Sequence, residues 1–523
     1  MSNLRASAIV AAGLLFVSTL NAQAPPPPPP APAGDVAQEL TRGPIHEAFG
    51  QPTAFNPAAG VLVAKRPPEL IEEVPPDQRP AGENVAWMPG YWQFDDESKN
   101  FVWVSGFWRN VPPGRTWVPG YWNTTDQGYQ WVSGYWMAER TAEVEYLPPP
   151  PETIEAGPST EAVDANQVWI PGCWVWHQTR FQWRPGFWST ANPDWVWTPA
   201  HYEYTPSGYL FVEGYWDYPL LNRGLLFAPV AFTSVPIGFV YTPSVVIDAR
   251  FLAFSLFAGP IHSHYYFGDY YDPRYARAGI YPWFAFHNSR IGYDPIFAQT
   301  NFIYSRRDPQ WSNRLRETYF DRREHEAARP PHTYRQFNEW ARKTDPDGTK
   351  NIAYVHPLAE ISKVKDYPVR LERVDPKGVE SVRAQATQVR KFREERMKVE
   401  QEAGRDMPRT GAKIDPAKPV GRTAAARVKM PEAPRLSPST PGVGGPGKTP
   451  PVGTAKHVAP PETPRVPDLT PPNATPKVAP KSVPLPHPEE HLKLPPVAKT
   501  PAPPAKVTPP VAPPPPKKKK EKD

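Results

Sequence analysis

The sequence predicts a mainly β protein: antiparallel hairpins in a meander built from eight aromatic repeats, then an irregular or β-rich region, a few helices and a disordered Pro/Lys-rich tail. Three observations predict it. A phrase of an aromatic residue, two intervening residues, usually Gly, a second aromatic and Trp recurs eight times between Trp87 and Trp216, the seventh copy degraded, in a stretch that holds 16 of the 19 Trp. Polar turn-forming segments separate the copies, and β-branched and aromatic residues flank them. The chain also carries 76 Pro in 523 residues, so much of it cannot be packed core.

Residues 1–22 read as a signal peptide. Arg5 is a lone positive charge, Ala6 to Leu20 is largely apolar, small residues follow, and cleavage is expected after Ala22. No later segment approaches about 20 continuous apolar residues, so no transmembrane span is expected once that segment is removed. The chain is expected to be exported, to the periplasm, the cell envelope or beyond. Residues 23–83 are dense in Pro and poor in aromatics, and read as a linker.

The repeat domain spans residues 84–217. Its phrases open at positions 87, 103, 117 and 131, then at 169, 183, 197 and 211, which sets two blocks, 84–136 and 167–217, around a linker at 137–166. Odd-numbered copies carry Pro at the third position (Pro89, Pro119, Pro171, Pro199). Even-numbered copies open with an extra aromatic (Phe101, Tyr129, Phe181, Tyr209). The unit is therefore a pair of copies, and each pair reads as one hairpin. The expected core is the repeated set Trp87, Gly90, Trp92, Trp103, Gly106, Trp108, Trp117, Gly120, Trp122, Trp131, Gly134, Trp136, Trp169, Gly172, Trp174, Trp183, Gly186, Trp188, Gly214 and Trp216. In an uninterrupted strand the two Trp of a phrase, five positions apart, point to opposite faces. Either both faces are buried, or Gly marks a bulge that returns both indoles to one side; the bulge is preferred because Gly is free to take a positive φ.

Residues 218–345 form a second ordered region, with short apolar runs and a Tyr-rich segment at 262–272. Asp308-Pro309 looks like a helix start, with Trp311, Leu315 and Tyr319 following at a spacing of four, and a shorter helix is expected near Thr333. Residues 346–404 are a connector and a helix opening at Asp375-Pro376, with Val379, Val382, Ala386, Val389 and Phe392 on a narrow stripe that favours a solvated single helix. From 405 to 523 there are 32 Pro and no Phe, Trp or Tyr, so this tail should stay disordered. It carries 21 Lys+Arg against 9 Asp+Glu, net +12, which leaves −6 for the rest of a chain whose total is +6. Lys517, Lys518, Lys519 and Lys520 are candidate contacts for a polyanion.

Chemistry is sparse. No phosphate-cradling loop, nucleophile elbow, H-E-x-x-H or paired cysteines occur, and no catalytic residue, metal or cofactor is expected. His262, His264, Asp269 and Asp272 are the best mixed nitrogen and oxygen set, with an ordered Tyr/His-rich loop as the plainer reading. Cys173, the only cysteine, takes an aromatic position of the fifth copy and reads as a core substitution. Off-phrase Trp176, Trp195 and Tyr204 are the candidates for stacking on sugar rings.

The phrases Trp117-Val118-Pro119-Gly120-Tyr121-Trp122 and Trp131-Val132-Ser133-Gly134-Tyr135-Trp136 resemble the WXXGXW (YXWGXW) repeats of bacterial exported proteins. The resemblance covers residues 87–216 and implies an envelope or secreted location; it supplies no activity, ligand or catalytic residue. The block from Leu225 to Asn338 is similar to a region of such proteins in planctomycete-like bacteria. Ala200, His201 and Tyr202 in the seventh copy, Phe211 in the eighth and Cys173 in the fifth depart from the pattern. The expectation is an exported, non-enzymatic, envelope-associated structural or adhesive protein with a cationic tether to a cell-wall or anionic envelope polymer. A carbohydrate-binding or polysaccharide-active protein is the alternative, and a polyanion-binding protein acting through the tail the second; a specific nucleic-acid partner is not expected.

Overall fold

The computed structural model describes residues 36–343, 354–364, 367–404 and 425–434. Residues 1–22, read as a signal peptide, most of the tail and Lys517 to Lys520 lie outside the described residues.

Each pair of copies forms one two-stranded antiparallel ribbon, so the fold contains the four expected hairpins. In the first, Tyr91–Asp95 pairs with Asn100–Val104 at the turn end, and Val85–Met88 pairs with Phe107–Asn110 at the open end. The second joins Tyr121–Thr125 to Gly128–Val132 and Arg115–Val118 to Tyr135–Ala138. The third and fourth repeat the plan at residues 167–190 and 196–217.

Every ribbon breaks its ladder at the same place, the two residues before the second aromatic. The break is not a bulge. Met88 faces Phe107 and Tyr91 faces Val104, so Pro89-Gly90 on one strand oppose Ser105-Gly106 on the other, two against two, and the register continues unchanged. The other three ribbons keep the same count. None of the phrase glycines has a positive φ. The expected bulge is therefore replaced by a symmetric corner, and the two Trp of a phrase stay on opposite faces. In the first ribbon both faces are buried: Trp87 and Trp108 enter the largest core cluster, while Trp92 and Trp103 enter a second one; in the third and fourth ribbons Trp169, Trp183, Trp188, Trp197 and Trp216 are only half-buried.

The segments read as linkers are packed. Residues 36–83 contribute strands, a 3-10 helix at Glu47–Phe49 and fully buried Ile45, Phe49 and Ile71. Within 137–166, Glu143–Leu147 pairs with Gly208–Val212. Sequence composition favoured a spacer because the few apolar residues here are scattered between prolines. Their partners are the indoles of the ribbons, which no local pattern reveals.

Residues 218–343 share the core of the repeats. One five-stranded sheet runs Val355–Pro357, Val245–Ile247, Gly224–Phe227, Phe107–Asn110, Val85–Met88. Trp311–Glu324 is helical and buries Trp311, Leu315 and Tyr319. Tyr334–Lys343 follows Thr333, whose Oγ1 accepts from Gln336 N. A further helix, Pro295–Arg307, is capped by Asp294, whose side chain accepts from Phe297 N.

The helix Pro376–Ala403 begins at the expected Asp375 cap, with Gly378 N 2.6 Å from Asp375 Oδ1. It is not solvated along its stripe. Val382, Ala386, Val389 and Phe392 are buried, and Arg396 and Glu400 beneath them are fully enclosed. The stripe seemed narrow because it ends in two charged residues that are part of the buried face. Part of the tail is also ordered, since Ala426–Lys429 pairs with Glu143–Leu147 and Met430 joins a core cluster.

Candidate functional site: the aromatic corners and one open cleft

The ladder register sets Trp opposite Trp on each side of a corner. Trp87–Trp108, Trp92–Trp103, Trp117–Trp136, Trp122–Trp131, Trp169–Trp188, Trp174–Trp183 and Trp197–Trp216 all have ring centroids 5.1–5.4 Å apart, most of them edge to face. That is the favoured geometry for aromatic pairs. The eighth pair is Tyr202–Phe211, at 5.1 Å.

Glycine is required at the corners for space. A Cβ on Gly90, Gly106, Gly120, Gly134, Gly172, Gly186 or Gly214 would lie 2.3–2.8 Å from a ring carbon of the Trp that opens the partner copy. The fourth ribbon explains its own departures from the pattern. Ala200 stands where Gly90, Gly120 and Gly172 stand in the others, and the ring facing it is Phe211 in place of Trp. The smaller ring leaves room for the methyl group, so two apparent irregularities are one compensated exchange.

A corner also costs hydrogen bonds. Two Gly N–H groups leave the ladder inside the protein, and a buried amide left unpaired costs about 1–3 kcal/mol. A carboxylate from outside the ribbon accepts both in the first corner and one in each of the second and third. Glu73 takes Gly90 N at 2.9 Å, Gly106 N at 2.9 Å and the Trp103 indole N–H at 2.9 Å. Glu47 takes Gly134 N at 3.0 Å and the Trp131 indole at 2.8 Å. Glu155 takes Gly172 N and the Trp169 indole. The rule is the same each time: the Trp and the Gly of one W-x-x-G phrase converge on one carboxylate. Sequence reasoning missed all three glutamates, because they lie 14–87 residues from their donors in regions without periodicity.

Opposite charge closes the other side of the second corner. Arg396 Nη1 donates to Pro119 O at 2.8 Å and to Ser133 O at 3.0 Å, the carbonyls left open by the same break. Its Nε donates to Glu400 Oε1 at 2.9 Å, and Glu400 also accepts from Tyr121 and Tyr146. In the first ribbon the neutral ring of His46 donates to Pro89 O at 3.2 Å. A further buried cluster, Asp217 between Arg109 and Arg223, ties the fourth ribbon to the first.

Burial fixes the protonation of several of these groups. His46 and His264 are driven down to about 3 by desolvation, so both rings are neutral. His264 Nε2 lies 2.7 Å from Tyr91 Oη, which in turn accepts from Glu47 N. The four residues read as the best metal set are thus engaged separately. His262 faces Asp96 at 3.8 Å, Asp269 bonds His332 at 2.9 Å, and Asp272 caps a helix by accepting from Arg274 N. Among the described residues no group of three or more His, Cys, Asp or Glu is placed to hold a metal ion. Cys173 sits beside Arg184, and burial pushes its thiol up, which disfavours the reactive thiolate.

Asp294 offers a measurable titration. Burial pushes its carboxyl from 3.8 up to about 7, although Tyr265 and Phe297 N donate to it. The folded state therefore prefers the protonated acid. Its contribution to stability is complete below about pH 4 and is lost as pH rises through about 7. Asp294→Asn should gain stability relative to the parent between pH 5 and 8. Urea unfolding across that range checks the sign.

One open cleft of about 330 Å³ lies between the second, third and fourth ribbons, lined by Arg115, Glu143, Glu145, Trp176, Phe211 and Glu213 among others. Of the three off-phrase aromatics, Trp176 is half-buried at this cleft and Tyr204 is half-buried elsewhere. Trp195 is buried against Tyr218 and cannot serve as a platform.

Four segments, residues 83–109, 116–137, 165–188 and 192–217, match the family model described as WXXGXW repeat (2 copies), and each coincides with one ribbon. No curated protein and no solved structure matches the chain significantly.

Proposed function

We propose that this chain, which carries WXXGXW repeats across residues 83–217, is an exported, non-enzymatic, envelope-associated structural or adhesive protein. The observation that carries this reading is the closure of the corners. The phrase Trp residues are paired with one another, and the chain's own Glu47, Glu73 and Glu155 occupy the donors of three phrases, so the repeat builds a rigid body and leaves little of itself for a ligand. The cationic residues beyond 434 supply the tether. Binding through them is electrostatic and weakens steeply with salt. Deleting residues 435–523 keeps Ala426–Lys429 and Met430 in place. It is expected to leave thermal unfolding unchanged and to lower retention on isolated anionic envelope material at low salt, with the difference vanishing near about 0.5 M. Equal retention of both proteins at low salt would overturn the tether, and recovery of an unprocessed chain from the cytosol would overturn export.

A second reading rests on the cleft. Half-buried Trp176 and Phe211 beside Arg115, Glu143, Glu145 and Glu213 combine apolar ring faces with groups that donate to and accept from hydroxyls, the composition of a saccharide site. Trp176→Ala would then abolish a thermal shift produced by envelope glycan fragments.

A further inference from the structure

We infer that the loop around Ile237 is a lipid-inserting tip that seats the body on a membrane surface. The inference supplies a partner for the proposed envelope association and rests on that reading for its biological setting. Residues 224–247 contain no charged side chain, although 233–238, 240, 242 and 244 are exposed. Exposed loops are ordinarily polar because water must be faced by something that hydrates well. Here Ile237 is fully exposed, at 107 %, and Val235 and Val240 are 40 % and 49 % exposed.

The tip is held out by its base. Phe239 N closes a turn on Pro236 O at 3.1 Å, with Gly238 at φ +76. Phe239 packs on Phe232, ring centroids 5.6 Å apart, and Val240-Tyr241 pair with Glu72-Glu73. A rigid base with one protruding aliphatic residue is convex. A folded partner would need a matching pocket, whereas the acyl region of a lipid layer closes around any apolar point.

A neighbouring segment packed on the same core cluster adds Leu62 and Leu70, 41 % and 36 % exposed, and exposed Lys65 and Arg66 for lipid phosphates. Glu69 and Glu72 lie on that segment too; Glu69 is 3.9 Å from Arg66 and Glu72 pairs with Arg383. Local charge is therefore balanced. Insertion is carried by apolar burial and should survive salt, unlike binding through the tail.

The full chain distinguishes the two. An environment-sensitive dye on Ile237→Cys, in a Cys173→Ser background, is expected to shift to the blue with phosphatidylethanolamine/phosphatidylglycerol vesicles at both low salt and about 0.5 M. Ile237→Asp is expected to lower vesicle partition at about 0.5 M roughly tenfold or more, the effect of exposing one aliphatic side chain. Its thermal unfolding should be unchanged, since the side chain is fully exposed. No dye shift, or partition indifferent to Ile237→Asp, overturns the inference. Lipid-free self-association abolished by Ile237→Asp would do so as well, by assigning the tip to a second copy. Because vesicles test insertion without reference to cellular location, failure of export and failure of insertion are separable.

Discussion

Gly106→Ala is expected to destabilise the chain by about 3 kcal/mol or more, at the upper end of what overpacking costs. The added carbon would sit 2.4 Å from Glu73 Oε2, 2.5 Å from Trp87 Cζ2 and 2.6 Å from Met88 O. Backbone, indole and buried carboxylate cannot all move, because the carboxylate is fixed by three donors. Urea unfolding followed by Trp fluorescence measures the effect, and an unchanged midpoint would remove steric exclusion as the reason for glycine. The fourth ribbon supplies the internal control. Phe211→Trp alone should be destabilising, since Ala200 already fills the space. Adding Ala200→Gly should recover most of the loss, with a coupling between about 0.5 and 3 kcal/mol.

Glu47→Ala is the second large effect. It strips the acceptors from the Trp131 indole and Gly134 N, both buried, and leaves a void beside Tyr91 and His264. Two unpaired donors at about 1–3 kcal/mol each, with the void added, give about 3–6 kcal/mol. Glu47→Gln keeps one acceptor oxygen and should fall between the parent and the alanine variant. Glu69→Ala, whose side chain is 97 % exposed, is the matched control and should change little. If Glu47→Ala unfolds at the same denaturant concentration as Glu69→Ala, the carboxylate is not what closes the corner.

Much of the ribbon architecture was legible because it is written locally. The 14-residue step, the turn segments and the aromatic flanks each depend on residues close in sequence, and so does the cap at Asp375, whereas the start read at Asp308 falls two residues later, at Gln310. The handling of the corner was not. Whether Gly serves φ or space depends on what faces it across the ladder, and Trp87 meets Gly106 only after the hairpin closes. The locking glutamates were further from view. Glu47, Glu73 and Glu155 sit in Pro-rich stretches with no periodicity, where an isolated acidic residue is ordinarily a solvated one. Arg396 and Glu400 drew no notice in the sequence, since a charged pair at the end of an apolar stripe normally marks its edge; burial is possible here because each ion finds partners on the ribbon.

The clamp on the second corner has a consequence for the order of assembly. Arg396 reaches its two carbonyls across 277 and 263 residues of chain, and Glu400 reaches Tyr121 across 279. Contacts of that separation carry a large closure entropy and form late. A chain emerging amino end first would complete its hairpins and accept Glu47 and Glu73 long before the helix carrying Arg396 arrives. Until then the carbonyls of Pro119 and Ser133 can be hydrated only if the corner stays open to water. The second corner is therefore the last seam of the body to be sealed, and the helix Pro376–Ala403 is what seals it.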